Sequence, residues 1–528
     1  MRQRSSNLRA AVLAAVVGLL FGGSSALLMA QDGSGTSVVS SKPGIPVVTD
    51  ELKEKGTEEE LSKTLGAMLA LMPENLRKPE SMTVDELGQL VDSAILLHQD
   101  YETRFPNGAG RASWLPGIAR LYVVNNTRYF VALSAAFKEQ TGRSMTPEEA
   151  KAQRSAYWDR VIALISEALE GDQEPGPGNE ALLATKGQAA WFAQLYGRAI
   201  ETYELLLGRY PESDRRSEYL LAFLNAHLSA RDYGTAVKLC DQFLAEFPRN
   251  DLAPHVYQLK AKGLLEAGRA QSVLDWWIEC LPTLEAAAQG RAIEVGDGSF
   301  TFSGEPRKAF RRYADEGYFM LGFLRGYLGD LEGARVAFED ALVKLNELQE
   351  QGKLDPRSQV FRGRTDKVNI AYLTLVGEES PQFDLGEWID GVPHDTASEN
   401  GNVQILAFLP YENPRYYDFL QFLQQLYTQH WTDGLRVTWV ADPKGFNDTS
   451  SQVGRVATQR TNLGLGYPTG LETQRGWPNF QKFQASVGGG TLIVVDRSGK
   501  VVWYKMDPTY RDENLVKGIV GKLLAEKP

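Results

Sequence analysis

Residues 403–416 read VQILAFLPYENPRY. From Val403 to Leu409 nearly every position is apolar, so the segment must be buried on both faces. Seven such residues suit a central strand better than a buried helix. Pro410 closes the run and Pro414 opens the next, since a proline ring is tolerated in the first turn of a helix. The stretch therefore predicts a buried strand passing into a helix, Pro414 to His430.

Two more segments on its C-terminal side repeat the pattern. Leu435 to Ala441 (LRVTWVA) and Thr491 to Val495 (TLIVV) read as strands buried on both faces. Thr491 to Asp496 and Val501 to Tyr504 flank Arg497-Ser-Gly-Lys500, a hairpin turn. Helical patterns separate the strands at Pro414–His430, Ser451–Asn462 and Asn514–Glu526. Alternation of this kind predicts an α/β domain around one central sheet.

On the N-terminal side the period changes to that of helices, from Thr57 to about Asn346. Thr57-x-x-Glu60, Thr83-x-x-Glu86 and Thr146-Pro147-x-Glu149 are capping-box starts. Leu87, Leu90, Val91, Ala94 and Ile95 follow the spacing of a buried helical stripe. Gly171 to Gly178 (GDQEPGPG) breaks the helical run. Beyond it Tyr196-Gly-Arg-Ala199-Ile, closed by Pro211, recurs 37 residues later as Tyr233-Gly-Thr-Ala236-Val, closed by Pro248. A third unit begins at Ala270-Gln-Ser-Val273-Leu. A fourth, Leu321-Gly322 leading to Ala334, Phe338 and Ala341, follows an insertion. Gly-Asp-Gly and the alternating Phe300 and Phe302 make that insertion a hairpin or a loop.

The chain holds 528 residues with 67 acidic against 56 basic side chains, a net charge of −11. That balance opposes a protein that tracks nucleic-acid phosphates, which needs a basic surface. Arg2, Arg4 and Arg9 precede an apolar run, Ala10 to Phe21, and then small residues, the order of a secretory signal peptide. Cleavage is expected after Ala30, with Ala26 as the second site. The alternative is an uncleaved anchor over Ala10–Ala30, which just spans a bilayer. Removal of residues 1–30 takes away three arginines and no acid, deepening the charge from −11 to −14. The expectation is an exported protein of the periplasm or cell envelope, with no integral membrane association after cleavage.

The helical units resemble tetratricopeptide repeats. A small residue stands mid-way in the first helix (Gly187, Ala261, Gly322), an aromatic in the second (Tyr203, Trp277, Phe338), and Pro211 and Pro248 close two units. The resemblance implies a solenoid whose concave face holds a peptide or partner helix, with Gln188, Asn225 and Lys262 at the equivalent groove position. Ordinary solvated helix surface is the alternative reading for those three. Cys240 takes the place of a packing aromatic and Cys280 that of a small core residue. Two buried thiols are the default; a Cys240–Cys280 disulfide is the alternative that export would favour.

The C-terminal stretch, with Gly377-Glu-Glu-Ser-Pro381-Gln-Phe383-Asp-Leu385 and Asp496-Arg-Ser-Gly499-Lys-Val, resembles a thioredoxin-like domain of the exported thiol:disulfide reductase and peroxiredoxin-like group. The resemblance implies a Cys-x-x-Cys at Asn413-Pro414-Arg415-Tyr416, a peroxidatic cysteine at Tyr417, or a cis-proline at Gly490. None of those residues is present. Thiol–disulfide exchange needs a thiolate, which Asn, Arg and Tyr do not supply, so these positions are degenerate and no catalytic residue is assigned.

Other chemistry is missing as well. His98, His227, His255, His394 and His430 form no His-x-x-x-His pair, and no metal ligand set or cofactor is expected. There is no Gly-x-x-x-x-Gly-Lys loop and no Gly-x-Ser-x-Gly elbow. Gly488-Gly-Gly490 precedes a strand, whereas a phosphate cradle follows one.

The expected organisation is multidomain: an all-α, tetratricopeptide-like solenoid followed by an α/β thioredoxin-like domain. Its parts are a signal peptide 1–30, a flexible linker 31–56, a helical region 57–178, repeats over 179–346 with an insertion near 285–308, a linker 347–371, and the α/β domain 372–528. The functional expectation is a non-enzymatic adaptor for protein or peptide partners, not nucleic acid. A thiol-disulfide oxidoreductase or peroxiredoxin-like antioxidant protein is the alternative.

Overall fold

The computed structural model describes residues 52, 55–77, 84–105, 108, 110–124, 130, 134, 137–138, 140–170, 177–295, 298–354, 358–391, 393–442, 449–474, 476–508 and 512–526. The signal-peptide reading, most of the 31–56 linker and the Thr83 cap lie outside these residues. The chain divides into two compact units, residues 1–230 and 231–528. Among the described residues no helix is long and apolar enough to cross a membrane.

The first unit is helical: α1 (Glu58–Arg77), α2 (Val84–Arg104), α3 (Arg111–Val124), α4 (Pro147–Glu170), α5 (Pro177–Phe192), α6 (Tyr196–Arg209) and α7 (Arg216–Ser229). Its capping boxes close as the sequence requires. Thr57 N donates to Glu60 at 2.8 Å while Glu60 N donates back to the Thr57 hydroxyl at 3.3 Å. Thr146 and Glu149 do the same at 2.8 and 3.2 Å. Reciprocal bonds of this kind satisfy two of the amide donors that every helix start leaves open. The core runs from Leu61 and Leu65 through Trp114 and Trp158 to Leu206, all buried. Gly187 on α5 lets the Tyr203 ring of α6 approach, since a Cβ there would lie 2.8 Å from the ring.

The second unit begins with α8 (Tyr233–Glu246), α9 (Ala253–Glu266) and α10 (Ala270–Ala288), followed by an antiparallel hairpin of β1 (Ile293–Val295) and β2 (Gly298–Phe300). Then come α11 (Gly304–Leu328), α12 (Leu331–Glu350) and α13 (Ser358–Thr374). α11 is the hub of this helical layer. Gly317, Gly322 and Gly326 face Trp277 of α10, Phe338 of α12 and Tyr372 of α13, and a Cβ at any of them would run into the ring opposite. Each glycine thus exchanges helix propensity for a close aromatic contact.

The stretch 347–371, expected as a linker, is largely helix. α12 continues to Glu350, and α13 buries Thr365, Val368, Ala371 and Tyr372 in helical spacing. The polar residues that suggested a linker are its outward faces and its anchors. Arg362 donates to the Asn346 side chain at 2.7 Å, and Arg335 of α12 donates to the Tyr372 and Val376 carbonyls at 2.7 and 3.0 Å.

A six-stranded sheet completes the unit: β3 (Glu387–Trp388), β4 (Val403–Pro410), β5 (Leu435–Asp442), β6 (Thr469–Leu471), β7 (Thr491–Val495) and β8 (Val501–Met506), in the order β3-β6-β5-β4-β7-β8. β4 is parallel to β5, and β5 to β6, whereas β7 runs antiparallel to both β4 and β8. Leu406 therefore sits between Thr438 and Ile493, in the middle of a sheet buried on both faces. The helices are α14 (Tyr417–His430), α15 (Thr449–Asn462), the short α16 (Pro478–Lys482) and α17 (Glu513–Ala525). α11 also reaches this layer: Trp503 of β8 packs beside Phe323 and Tyr327, with ring centroids 5.7 and 6.2 Å apart.

Candidate functional site

The ladder that holds β4 in the sheet's centre ends at Pro410 opposite Asp442. Beyond it the chain turns through a 3-10 segment, Pro414–Tyr416, whose start is capped by Asn413: its side chain accepts from Arg415 N at 3.1 Å. α14 follows at once, so the site lies at the mouth of the central strand and the start of the helix after it.

Tyr416 fills this place. Its ring is buried, and its hydroxyl lies 2.9 Å from Asp507 Oδ1 and 2.9 Å from the Gly489 carbonyl. A phenol has one proton to donate, so the two acceptors share it. Burial, followed by the charge of Asp507, raises the Tyr416 pKa far above the ordinary phenol value. The hydroxyl stays protonated and offers no nucleophile at neutral pH.

Asp507 follows β8 and is held from four sides. Arg364 of α13 donates to its Oδ2 at 2.8 Å and Arg415 at 3.1 Å, Tyr416 meets Oδ1, and its own amide donates to the Gly490 carbonyl at 3.0 Å. The backbone there is left-handed, with φ +51°, which aspartate tolerates better than most residues. Gly490 also has positive φ, +71°, and a Cβ on it would lie 2.9 Å from the Tyr416 hydroxyl and 3.0 Å from the ring carbon bearing it. The glycine and the tyrosine are complementary: a side chain at 490 would press on the Tyr416 hydroxyl and ring.

Tyr417 turns away from this cluster. Its hydroxyl donates to the Tyr411 carbonyl at 3.3 Å, and it lines an open cleft of about 830 Å³ with Tyr411, Glu412, Arg455, Thr458 and Gln459. Glu412 and Arg455 pair across that cleft at 3.0 Å, both about half exposed.

The structure thus brings Asn413, Tyr416 and Gly490 together and leaves Tyr417 to one side. It adds Asp507 and Arg364, which no local motif announces. Asp507 is 91 residues from Tyr416 and 143 from Arg364.

The two cysteines are free and buried, Cys240 on α8 and Cys280 on α10, so the Cys240–Cys280 disulfide considered from sequence is not formed. The Cys280 sulfur lies beside the Trp277 carbonyl of its own helix, at 4.0 Å. Burial pushes the Cys280 thiol up to about 12 and Cys240 higher, the reverse of what a reactive thiolate requires. Gln188, Asn225 and Lys262 are each half-buried; the Asn225 amide donates to the Leu221 carbonyl of its own helix at 2.9 Å. Among the described residues no group of three His, Cys, Asp or Glu side chains is placed to hold a metal ion.

No protein-family model matches the chain, and no curated protein sequence does either. Solved structures do match a part of it. A thiol:disulfide interchange protein of the thioredoxin family from Chlorobium tepidum is 21% identical, over 28% of this chain and 96% of its own, with a TM-score of 0.24. A thiol-disulfide isomerase from Corynebacterium glutamicum is 14% identical, over 28% and 98%, with a TM-score of 0.25. The thioredoxin domain of a thiol-disulfide oxidoreductase from Bacteroides vulgatus is 13% identical, over 28% and 97%, with a TM-score of 0.24. Each of these three structures matches little more than a quarter of this chain's length.

Proposed function

We propose that this chain is an exported, non-enzymatic adaptor that binds protein or peptide partners through tetratricopeptide-like helices. Its thioredoxin-like portion serves as a docking or structural module without redox turnover. One observation carries the reading. Where thiol chemistry would need a thiolate at the start of α14, a buried tyrosine hydroxyl is tied to Asp507 and to the Gly489 carbonyl. Exchange proceeds by thiolate attack on sulfur, and a protonated phenol cannot replace it. No cysteine occurs after Cys280 in the sequence, and burial suppresses ionisation of both thiols the chain has. Export rests on the basic, apolar and small-residue order of residues 1–30.

Purified protein is expected to give no insulin reduction and no peroxide consumption. Thiol-dependent turnover that disappears in the Cys240→Ser/Cys280→Ser double variant would instead establish the oxidoreductase reading.

A further inference from the structure

In a chain of net charge −11, four cations of the second unit lie on α9, α11, α13 and at the start of α14. α9 and α11 are joined by two polar contacts, His255 Nδ1 with the Tyr313 hydroxyl at 2.7 Å and Gln258 with Glu316 at 3.1 Å. Lys262 lies one and two turns beyond these residues on α9, hence on the same helical face. On α11 the Arg312 guanidinium lies over the Tyr313 ring, 5.0 Å from its centroid. Burial raises the Glu316 pKa, and the Gln258 hydrogen bond, followed by the charges of Arg312 and Arg364, lowers it again. Arg364, on α13 against α11, then joins Arg415 on Asp507. Four cations therefore follow one another with two carboxylates among them. Arg415 remains 54% exposed and Arg364 38%. Each offers five N–H donors, of which Asp507 engages one apiece.

We propose that Lys262, Arg312, Arg364 and Arg415 form a single basic strip that takes an acidic, extended peptide segment of a partner protein, running from the α9–α11 face to the start of α14. The inference rests on the adaptor reading above and specifies the partner's chemistry. Carboxylates of such a segment meet guanidinium groups in forked geometry, which Arg supplies better than Lys. Alternate side chains of an extended segment point the same way, so spaced acids can reach successive cations. The net charge of −11 opposes the approach of an acidic peptide to the chain as a whole, so its binding needs local cations.

The test is fluorescence anisotropy on the full chain with a labelled Glu/Ser peptide of about twelve residues, a Lys/Ser counterpart and a single-stranded oligonucleotide of similar length. The strip predicts binding of the acidic probe alone, weakened about tenfold or more in Arg312→Glu/Arg415→Glu and by raising salt from about 50 to about 300 mM. Arg312→Gln/Arg415→Gln, checked for an unchanged melting curve, should show a smaller loss in the same direction. No binding at low salt, equal affinity for the basic peptide or the oligonucleotide, or indifference to the charge reversals would overturn the strip. A blank insulin assay alongside such a failure leaves the adaptor reading standing, whereas thiol-dependent turnover overturns that reading.

Discussion

The Tyr416 hydroxyl lies 2.9 Å from the Asp507 carboxylate, across 91 residues of sequence. Through Arg364 on the same carboxylate, the start of α14 and the end of β8 are tied to α13 as well. Asp507 is thus the joint at which the sheet meets the last helix of the helical layer.

Removing that joint should be costly, in a graded order. Tyr416→Phe deletes one bond to a charged acceptor and is expected to destabilise the second unit by about 1 to 2 kcal/mol. Asp507→Asn keeps the left-handed backbone accessible but leaves two guanidinium groups without their counter-charge, at about 2 to 3 kcal/mol. Urea unfolding followed by tryptophan fluorescence reads both. Equal stability of wild type and Asp507→Asn would show that the cluster is an exposed ornament of the surface.

Gly490 makes a second joint with the same tyrosine. A methyl group there meets the Tyr416 hydroxyl at 2.9 Å and must also occupy φ +71°. Gly490→Ala is expected to cost about 1 to 3 kcal/mol. Gly490→Ala/Tyr416→Phe should cost less than the sum of the single changes, because the steric contact is shared. Strict additivity in the double variant would mean that backbone strain, not the tyrosine, demands the glycine.

The central strands were legible because burial on both faces leaves an uninterrupted apolar run, as in 403–409 and 491–495. β3 and β6 were not: two and three residues long, they carry no period, and β6 forms on the edge of β5 and β3 on the edge of β6. α13 hides in the sequence for a related reason. Its buried stripe is dilute, and its arginines look like linker polarity until their partners, Asn346 and Asp507, are in place. At the candidate site, that no cysteine follows Cys280 could be read directly from the sequence. The Tyr416–Asp507–Arg364 cluster could not, because long-range side-chain pairing leaves no local pattern.

The glycines that face rings from α11 give a further test. At Gly322 an added Cβ would meet the Phe338 ring at 2.7 Å. Alanine raises helix propensity by up to about 1 kcal/mol, yet overpacking a buried aromatic costs about 1 to 3 kcal/mol. Net destabilisation is therefore expected for Gly322→Ala. Gly363, on α13 with open space around the added Cβ, is the control, and Gly363→Ala should be neutral or stabilising. If both variants melt alike, the close approach of α11 and α12 is not what selects glycine at 322.

Cys280 supplies the pH test, with a sign that follows from its burial. Its folded pKa, about 12, lies above the ordinary thiol value of 9.0. Below that ordinary value both states hold the proton and stability is intact. Between the two values the unfolded chain releases the proton and the folded chain keeps it, so stability falls as pH rises, by about 1.4 kcal/mol per pH unit. Cys240 adds the same decline over this window and buried tyrosines add one at higher pH; Cys280→Ser separates Cys280 because it leaves both in place. Wild type should lose more stability than Cys280→Ser when urea midpoints at pH about 8 and about 10.5 are compared. In the native state at pH about 8 the thiol should also resist a disulfide reagent until the protein is unfolded. Parallel pH profiles for the two proteins, or rapid labelling of the folded chain that is lost in Cys280→Ser, would place Cys280 within reach of solvent and reopen thiol chemistry for this molecule.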